Sequence, residues 1–143
     1  MRAALALAEE AERAGEVPVG CVIVSETGEL LGSGRNRREE RGDATAHAEI
    51  EAIRQACAAR GNWRLEGCTI YVTLEPCPMC AGAIINARIP TVVFGAREEK
   101  TGSCGSVIDL FSENYGFRPK VYGGILKDAC AGLLREFFRE KRP

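Results

Sequence analysis

CTIYVTLEPCPMCAGAIINARIPTVVFG, residues 68–95, sets two apolar, β-branched runs on either side of a segment that begins with proline and is rich in helix formers. Cys68–Leu74 predicts a buried strand, because an apolar run of this length bounded by turn residues fits a strand better than a helix. Pro78–Ala87 predicts a helix: proline suits the first helical position, where its missing N–H costs nothing. Thr91–Gly95 predicts a second strand. Strand, helix and strand follow one another so closely that they form a short βαβ unit, which requires parallel strands and a right-handed crossover.

Working outward, Lys100–Ser106 reads as a Gly/Ser loop, Val107–Phe111 as a short element and Val121–Tyr122 as a strand remnant. Lys127–Arg142 predicts a final helix with Leu133, Leu134, Phe137 and Phe138 as its apolar stripe. Toward the N-terminus, Ala46–Arg60 predicts a helix with Ile50, Ile53 and Cys57 on one face and Gly61 as its stop. Residues 35–45 are polar and read as a loop. Val17–Val24 and Leu30–Gly34 flank Thr27-Gly28 and read as a hairpin. Residues 2–14 place Ala4, Leu5, Leu7, Ala8 and Ala11 near a 3.6-residue period, a helix ended by Gly15. The sum is one α/β domain over residues 1–143, with helices on both faces of a mixed sheet.

Composition agrees with a soluble globular protein: hydrophobic residues are 45% and charged residues 27%, and no apolar run approaches a membrane span. Met1–Arg13 alternates apolar residues with Glu and Arg, unlike a signal peptide, so a cytoplasmic location is expected. The net charge of −1 gives no overall basic footprint. It is uneven, however: from Arg118 onward seven Lys/Arg stand against three Asp/Glu, and Arg35, Arg37, Arg38 and Arg41 form a second cluster. Either group can be a solvated face or a nucleic-acid contact. Seven cysteines, an odd number, argue against a disulfide framework. Cys21, Cys57 and Cys130 lie in apolar or helical patterns and read as packing residues.

Only Cys77 and Cys80 have ligand-like spacing. With His47, the chain's single histidine, they offer one imidazole and two thiolates, three zinc ligands with the fourth tetrahedral position open, as in a catalytic site. Thr45 is expected to cap the helix carrying His47, and Cys77 to cap the helix begun by Pro78. A helix N-terminus disfavours imidazolium and favours thiolate, so both ends suit a metal. Glu49 lies two residues beyond His47; on a regular helix the two point about 200° apart at ~3.6 residues per turn, so spacing alone does not bring both to the metal. A redox-active Cys-x-x-Cys pair is the competing reading of the cysteines.

The pattern His47-Ala-Glu49 followed by Pro76-Cys-Pro-Met-Cys80 is the signature of zinc nucleobase deaminases. The chain resembles the bacterial tRNA adenosine deaminases in this and in further segments. These are Glu16-Val-Pro-Val-Gly20, Asn36, Trp63-Arg-Leu-Glu66, Tyr71–Gly82, Val92–Gly95, Gly124-Ile-Leu126 and Phe137-Phe138, spread along nearly the whole chain. The resemblance implies a cytidine-deaminase-like three-layer α/β/α fold with a mixed five-stranded sheet. It implies one Zn2+ per subunit on His47, Cys77 and Cys80, no organic cofactor, and Glu49 as the proton-shuttling acid and base. It implies that Asn36 and the backbone near Ala48 contact the target nucleoside, and that Phe138 lines an RNA groove. The activity implied is hydrolysis of adenosine to inosine at the wobble position of a tRNA anticodon stem-loop, by a homodimer. Gly116-Phe117 departs from a common Asn-His, Ala44 from proline, and Glu98 from aspartate. Deamination of a free base or nucleoside, of guanine or cytosine type, is the near alternative; a non-catalytic zinc module that binds RNA is the distant one.

Overall fold

The computed structural model describes residues 1–141. Along the chain run α1 (Arg2–Arg13), β1 (Gly20–Val24), β2 (Leu30–Arg35), α2 (Arg38–Arg41), α3 (Ala48–Arg60), β3 (Thr69–Leu74), α4 (Pro78–Ala87), β4 (Thr91–Ala96), β5 (Lys120–Tyr122) and α5 (Lys127–Lys141). A single turn of 3-10 helix at Leu110–Ser112 precedes β5. The end of the expected last helix, Arg142, lies outside the described residues.

The strands form one five-stranded sheet in the order β2-β1-β3-β4-β5. β1 and β2 make the expected antiparallel hairpin, and β1 also pairs antiparallel with β3. β3 and β4 pair in parallel, Ile70 opposite Val92 and Val72 opposite Phe94, as the βαβ reading of residues 68–95 requires. β5 adds a parallel edge, with Val121 opposite Val92. The sheet is therefore mixed, and it separates two helical layers: α1 and α5 pack on one face, α3 and α4 on the other. Ile23, Ile70, Val72, Ile84, Ile89, Val92 and Phe94 are buried between them.

α3 buries a different face from the one hydrophobicity suggests, whereas α1 buries the alanines of its expected stripe. α3 buries Ala48, Glu49, Ala52 and Ala56, while Ile50, Ile53 and Cys57 are only partly covered. The cause is β2, where a Cβ on Gly32 would lie 2.2 Å from the Ala52 carbonyl oxygen and one on Gly34 would lie 2.6 Å from that of Ala48. The helix backbone rests directly on the strand, so only alanine fits between them. α1 repeats the device: Ala4, Ala8 and Ala11 are buried, and a Cβ on Gly20 would lie 2.0 Å from the Ala4 carbonyl oxygen. Leu5 and Leu7 sit at the margins.

Other expectations shift in detail. β1 begins at Gly20, not Val17, because Val17–Val19 forms a tight turn with the Val19 N–H on the Val17 carbonyl. Residues 38–41, expected within a loop, form α2. On α5 it is Cys130 and Phe137 that are buried; Phe138 is 48% exposed and meets Phe137 edge-on. Cys21 and Cys130 are buried packing residues, as expected, and Cys57 is half-buried.

Candidate active site

The N-termini of α3 and α4 meet at one end of the sheet, beyond the carboxyl ends of the parallel strands. α4 starts as its sequence requires: Cys77 is the cap and Pro78 the first helical residue. α3 starts differently. Thr45 does not cap it; its N–H and hydroxyl both donate to the Asp43 carboxylate, at 2.8 and 2.7 Å, closing a turn before the helix. His47 itself is the cap, with extended dihedrals of φ −76° and ψ 155°. The regular helical rotation between residues 47 and 49 therefore does not apply, and His47 and Glu49 can line the same cleft.

His47 turns its Nδ1 toward both thiols, 3.6 Å from the Cys77 Sγ and 3.5 Å from the Cys80 Sγ. The ligand atoms of the three residues lie within 4.8 Å of one another. The Cys80 thiol and the His47 imidazole hydrogen-bond to Cys77 and hold its thiol down to about 4, in thiolate form. Cys80 moves up, through the bond it makes to Cys77 and through burial, so one proton is shared between the two sulfurs. His47 moves up, because Cys77 accepts its hydrogen bond. A divalent cation replaces these shared protons with its own charge. One imidazole and two thiolates are a donor set that suits zinc, and three ligands leave a coordination position free. The residues fit the metal.

Glu49 is buried against this cluster, 3% exposed, and hydrogen-bonds Cys80. Burial pushes its carboxyl up to about 7, which places it where a proton is both held and released near neutral pH. Next to the cluster opens a cleft of about 150 Å³ lined by Val17, Val19, Asn36, Arg38, His47, Ala48, Glu49, Glu98 and Thr101. This is smaller than a drug-sized pocket, roughly 300–1,000 Å³, and suits one flat ring system. The Asn36 amide is fixed at its edge: the Arg38 N–H donates to its Oδ1 at 3.2 Å, and its Nδ2 donates to the Val17 carbonyl at 3.4 Å. Asn36, His47, Ala48 and Glu49 are thus brought together. Phe138 is not in this cleft.

Phe138 lies in a separate, shallow groove of about 1,030 Å³ between α5 and Lys100. Lys100, Arg135, Arg139 and Lys141 line it with one acid, Glu136, which pairs with Arg139. Among the described residues the metal-ligating cluster lies at the smaller cleft, which makes that cleft the candidate reaction centre; Lys100 joins the groove to the loop that bears Glu98 and Thr101. Phe117, at the departure from Asn-His, sits under the Arg88 guanidinium, 5.7 Å from ring centre to Cζ.

Glu98, where the resemblance departs from aspartate, lies at the cleft; Arg38 and Thr101 beside it, and two buried acids behind it, Glu16 and Glu75, are not singled out as site residues by the sequence. Burial burdens Glu75, but hydrogen bonds from the Ser106 hydroxyl and from the Cys104, Ser106 and Glu98 N–H groups hold its carboxyl below the usual range. The signal for both acids was present: each stands inside a family-like segment, Glu16 before Val-Pro-Val-Gly20 and Glu75 before Pro-Cys77.

A mixed five-stranded sheet with His, Cys and Cys at two helix N-termini and a buried glutamate beside them defines a zinc-dependent deaminase. The chain belongs to the cytidine and deoxycytidylate deaminase zinc-binding family, whose model matches residues 1–96. Within that family its relatives are more particular. It is 47% identical over 143 residues to the tRNA-specific adenosine deaminase of Bacillus subtilis, with 99% of this chain and 88% of the relative aligned. It is 50% identical over 142 residues to the tRNA(Ile)-lysidine synthase of Deinococcus radiodurans, of which it spans only 24% of the length. Among solved structures, one from a study of A-to-I editing by tRNA:A34 deaminases at the wobble position superposes with a TM-score of 0.89. That chain is 44% identical, with 94% of this chain and 97% of the other covered. No helix among the described residues is long and apolar enough to cross a membrane.

Proposed function

We propose that residues 1–143 form a single zinc-dependent domain that hydrolyses adenosine to inosine at the wobble position of a tRNA anticodon. The observation that carries this reading is the meeting of His47, Cys77, Cys80 and Glu49 at one small cleft, in a chain similar along its length to tRNA-specific adenosine deaminases. His47, Cys77 and Cys80 hold the metal. Zinc, when bound, supplies Lewis acidity that makes water a nucleophile near neutral pH.

The chain's own residues do the rest. Asn36, with both ends of its amide tied to the backbone, orients the nucleoside at the mouth of the cleft. Ala48 lines the cleft as the first residue of α3, and the first-turn N–H groups of a helix have no partner within it, so they are available to a polar substrate edge. Glu49 takes a proton from the attacking water as oxygen bonds to C6 of the purine. It then passes protons to ring N1 and to the departing amine. The C6–N bond breaks, ammonia leaves, and the oxygen remains on C6, so adenosine and water give inosine and ammonia.

The groove beside Phe138 accommodates the stem-loop: its excess of cations meets phosphates, and the exposed phenyl ring offers a surface on which an unpaired base stacks. We further propose that the chain acts as a cytoplasmic homodimer, with exposed Val107, Ile108 and Tyr115 available for the contact. The test is deamination by zinc-loaded protein of an anticodon stem-loop with wobble adenosine, run beside free adenosine, guanine and cytidine. Inosine at the wobble site alone is expected. Turnover of a small molecule with an inert stem-loop would move the chain to the base and nucleoside deaminases.

A further inference from the structure

Glu16 and Glu75 are each only 2% exposed, yet among the described residues neither makes an ion pair with a basic side chain. A buried carboxylate without a cation is costly and persists only where hydrogen bonds saturate it. Here the donors come from the two walls of the cleft. Glu16 accepts the N–H of Glu39 at 3.1 Å and of Glu40 at 2.6 Å, at the start of α2, the element that carries Arg38. Glu75 accepts the N–H of Glu98 at 3.1 Å, of Cys104 at 2.9 Å and of Ser106 at 3.1 Å, and the Ser106 hydroxyl as well. Those residues bracket the loop that carries Glu98 and Thr101. The Ser103 N–H adds a bond to the Pro76 carbonyl at 2.9 Å, next to Glu75 in the chain.

Resting on the deaminase reading of the cleft, we propose that Glu16 and Glu75 are positioning residues that fix its two opposite walls, the Arg38 wall and the Glu98–Thr101 wall, relative to the metal-binding helix ends. Neither touches the substrate. Each stands one short step from an element that is itself rigid: Glu75 follows β3 and precedes Cys77 by two residues, and the Glu16 N–H is bonded to the Ala11 carbonyl of α1 at 2.9 Å. The walls are the single turn of α2, which buries no residue, and the loop that carries Glu98 and Thr101, and segments with so little buried surface open readily unless tied. Only an acceptor-only group answers these donors: a glutamine in place of Glu75 turns an NH2 toward backbone N–H groups that need an acceptor. The space is equally constrained, since a Cβ on Gly102 would lie 2.6 Å from the Glu75 carboxylate.

The experiment compares Glu16→Gln, Glu75→Gln, Ser106→Ala and Gly102→Ala with the unaltered chain. Zinc content, amide hydrogen exchange, and KM and kcat on the wobble-adenosine stem-loop and on a free base are measured. Exchange is expected to accelerate over residues 97–107 in the Glu75, Ser106 and Gly102 variants and over 37–42 in Glu16→Gln, with zinc retained. KM on the substrate turned over is expected to rise about tenfold in the two glutamine variants, the effect of losing a charge-assisted hydrogen bond, and kcat to change much less. Ser106→Ala, which removes a single donor and leaves the carboxylate, is expected to show the same pattern at smaller amplitude, and it carries the test if a glutamine variant does not fold. Unchanged exchange in the named segments overturns the anchoring; loosened segments with unaltered KM overturn its role in binding; loss of zinc with a fall in kcat places the effect on the metal instead. An unaltered chain that ignores the stem-loop but deaminates a base overturns the tRNA reading alone, because exchange reports on the anchors without any substrate.

Discussion

His47 is the chain's single histidine, and its place as the cap of α3, not a residue within it, sets what Glu49 can reach. An extended cap residue points its ring toward the facing helix end, where Cys77 and Cys80 lie, while Glu49 folds under the same cluster from the first turn. Glu49→Gln keeps size and burial but cannot accept and return a proton. Turnover should fall by about 10²–10⁴-fold, the usual contribution of general acid–base catalysis, with zinc retained by metal analysis. Full activity in the zinc-loaded variant would remove Glu49 from the mechanism. Cys80→Ser replaces a buried ligand with one that binds zinc poorly. It should lose the metal on dialysis and show a lower melting temperature that added zinc no longer raises, since binding to the folded state alone stabilises by mass action. A melting curve with and without zinc reads this directly.

At the scale of elements, the site depends on how closely α3 lies on β2. Gly32 and Gly34 let the helix backbone touch the strand, and the alanines of α3 fill what little space remains. Gly34→Ala would drive a methyl group to 2.6 Å from the Ala48 carbonyl oxygen and 2.9 Å from the Ala52 nitrogen, so the first turn of α3 must move. Overpacking of this kind typically costs about 1–3 kcal/mol, and here it displaces the turn that bears His47 and Glu49. Denaturant titration should report the lost stability, and activity should drop by more than the unfolded fraction explains. An unchanged midpoint would show that the helix has room to shift. This close approach also explains why periodicity misled: Ile50, Ile53 and Cys57 form the more apolar stripe, but the strand beneath admits only small side chains. By contrast, β3, α4 and β4 were legible almost to the residue. A β-branched run, a helix-starting proline and a second β-branched run have few other ways to fold.

For the whole molecule, the reaction cleft and the larger groove are distinct places joined by the 97–106 loop. If the groove holds the stem-loop, binding should weaken steeply with salt. Arg135→Ala should then lower the log–log slope by roughly 0.7–0.9, because one phosphate fewer is neutralised and its counterion stays bound. Fluorescence anisotropy across a salt series measures both quantities, and an unaltered slope would take Arg135 out of the RNA path. Phe138→Ala should reduce affinity by about 1–3 kcal/mol if a base stacks on the ring, with little effect on turnover of a free base. Equal losses on both substrates would point to a packing role for the ring.

The family, the βαβ centre of the sheet and the candidate metal-binding set His47, Cys77 and Cys80 are all legible in the amino-acid order, because these rest on local signals: strand propensity, a proline at a helix start, and ligand types at fixed spacing. It takes the folded chain to show that His47 caps its helix while Thr45 bonds Asp43, that alanines and not isoleucines of α3 face the sheet, and that Glu16 and Glu75 accept hydrogen bonds from the segments beside the cleft. Each of those follows from which backbone atoms come to lie against one another across long stretches of chain. A glycine strand that admits a helix at van der Waals distance, or a buried acid whose donors come from loops more than twenty residues away, has no local pattern from which it can be read.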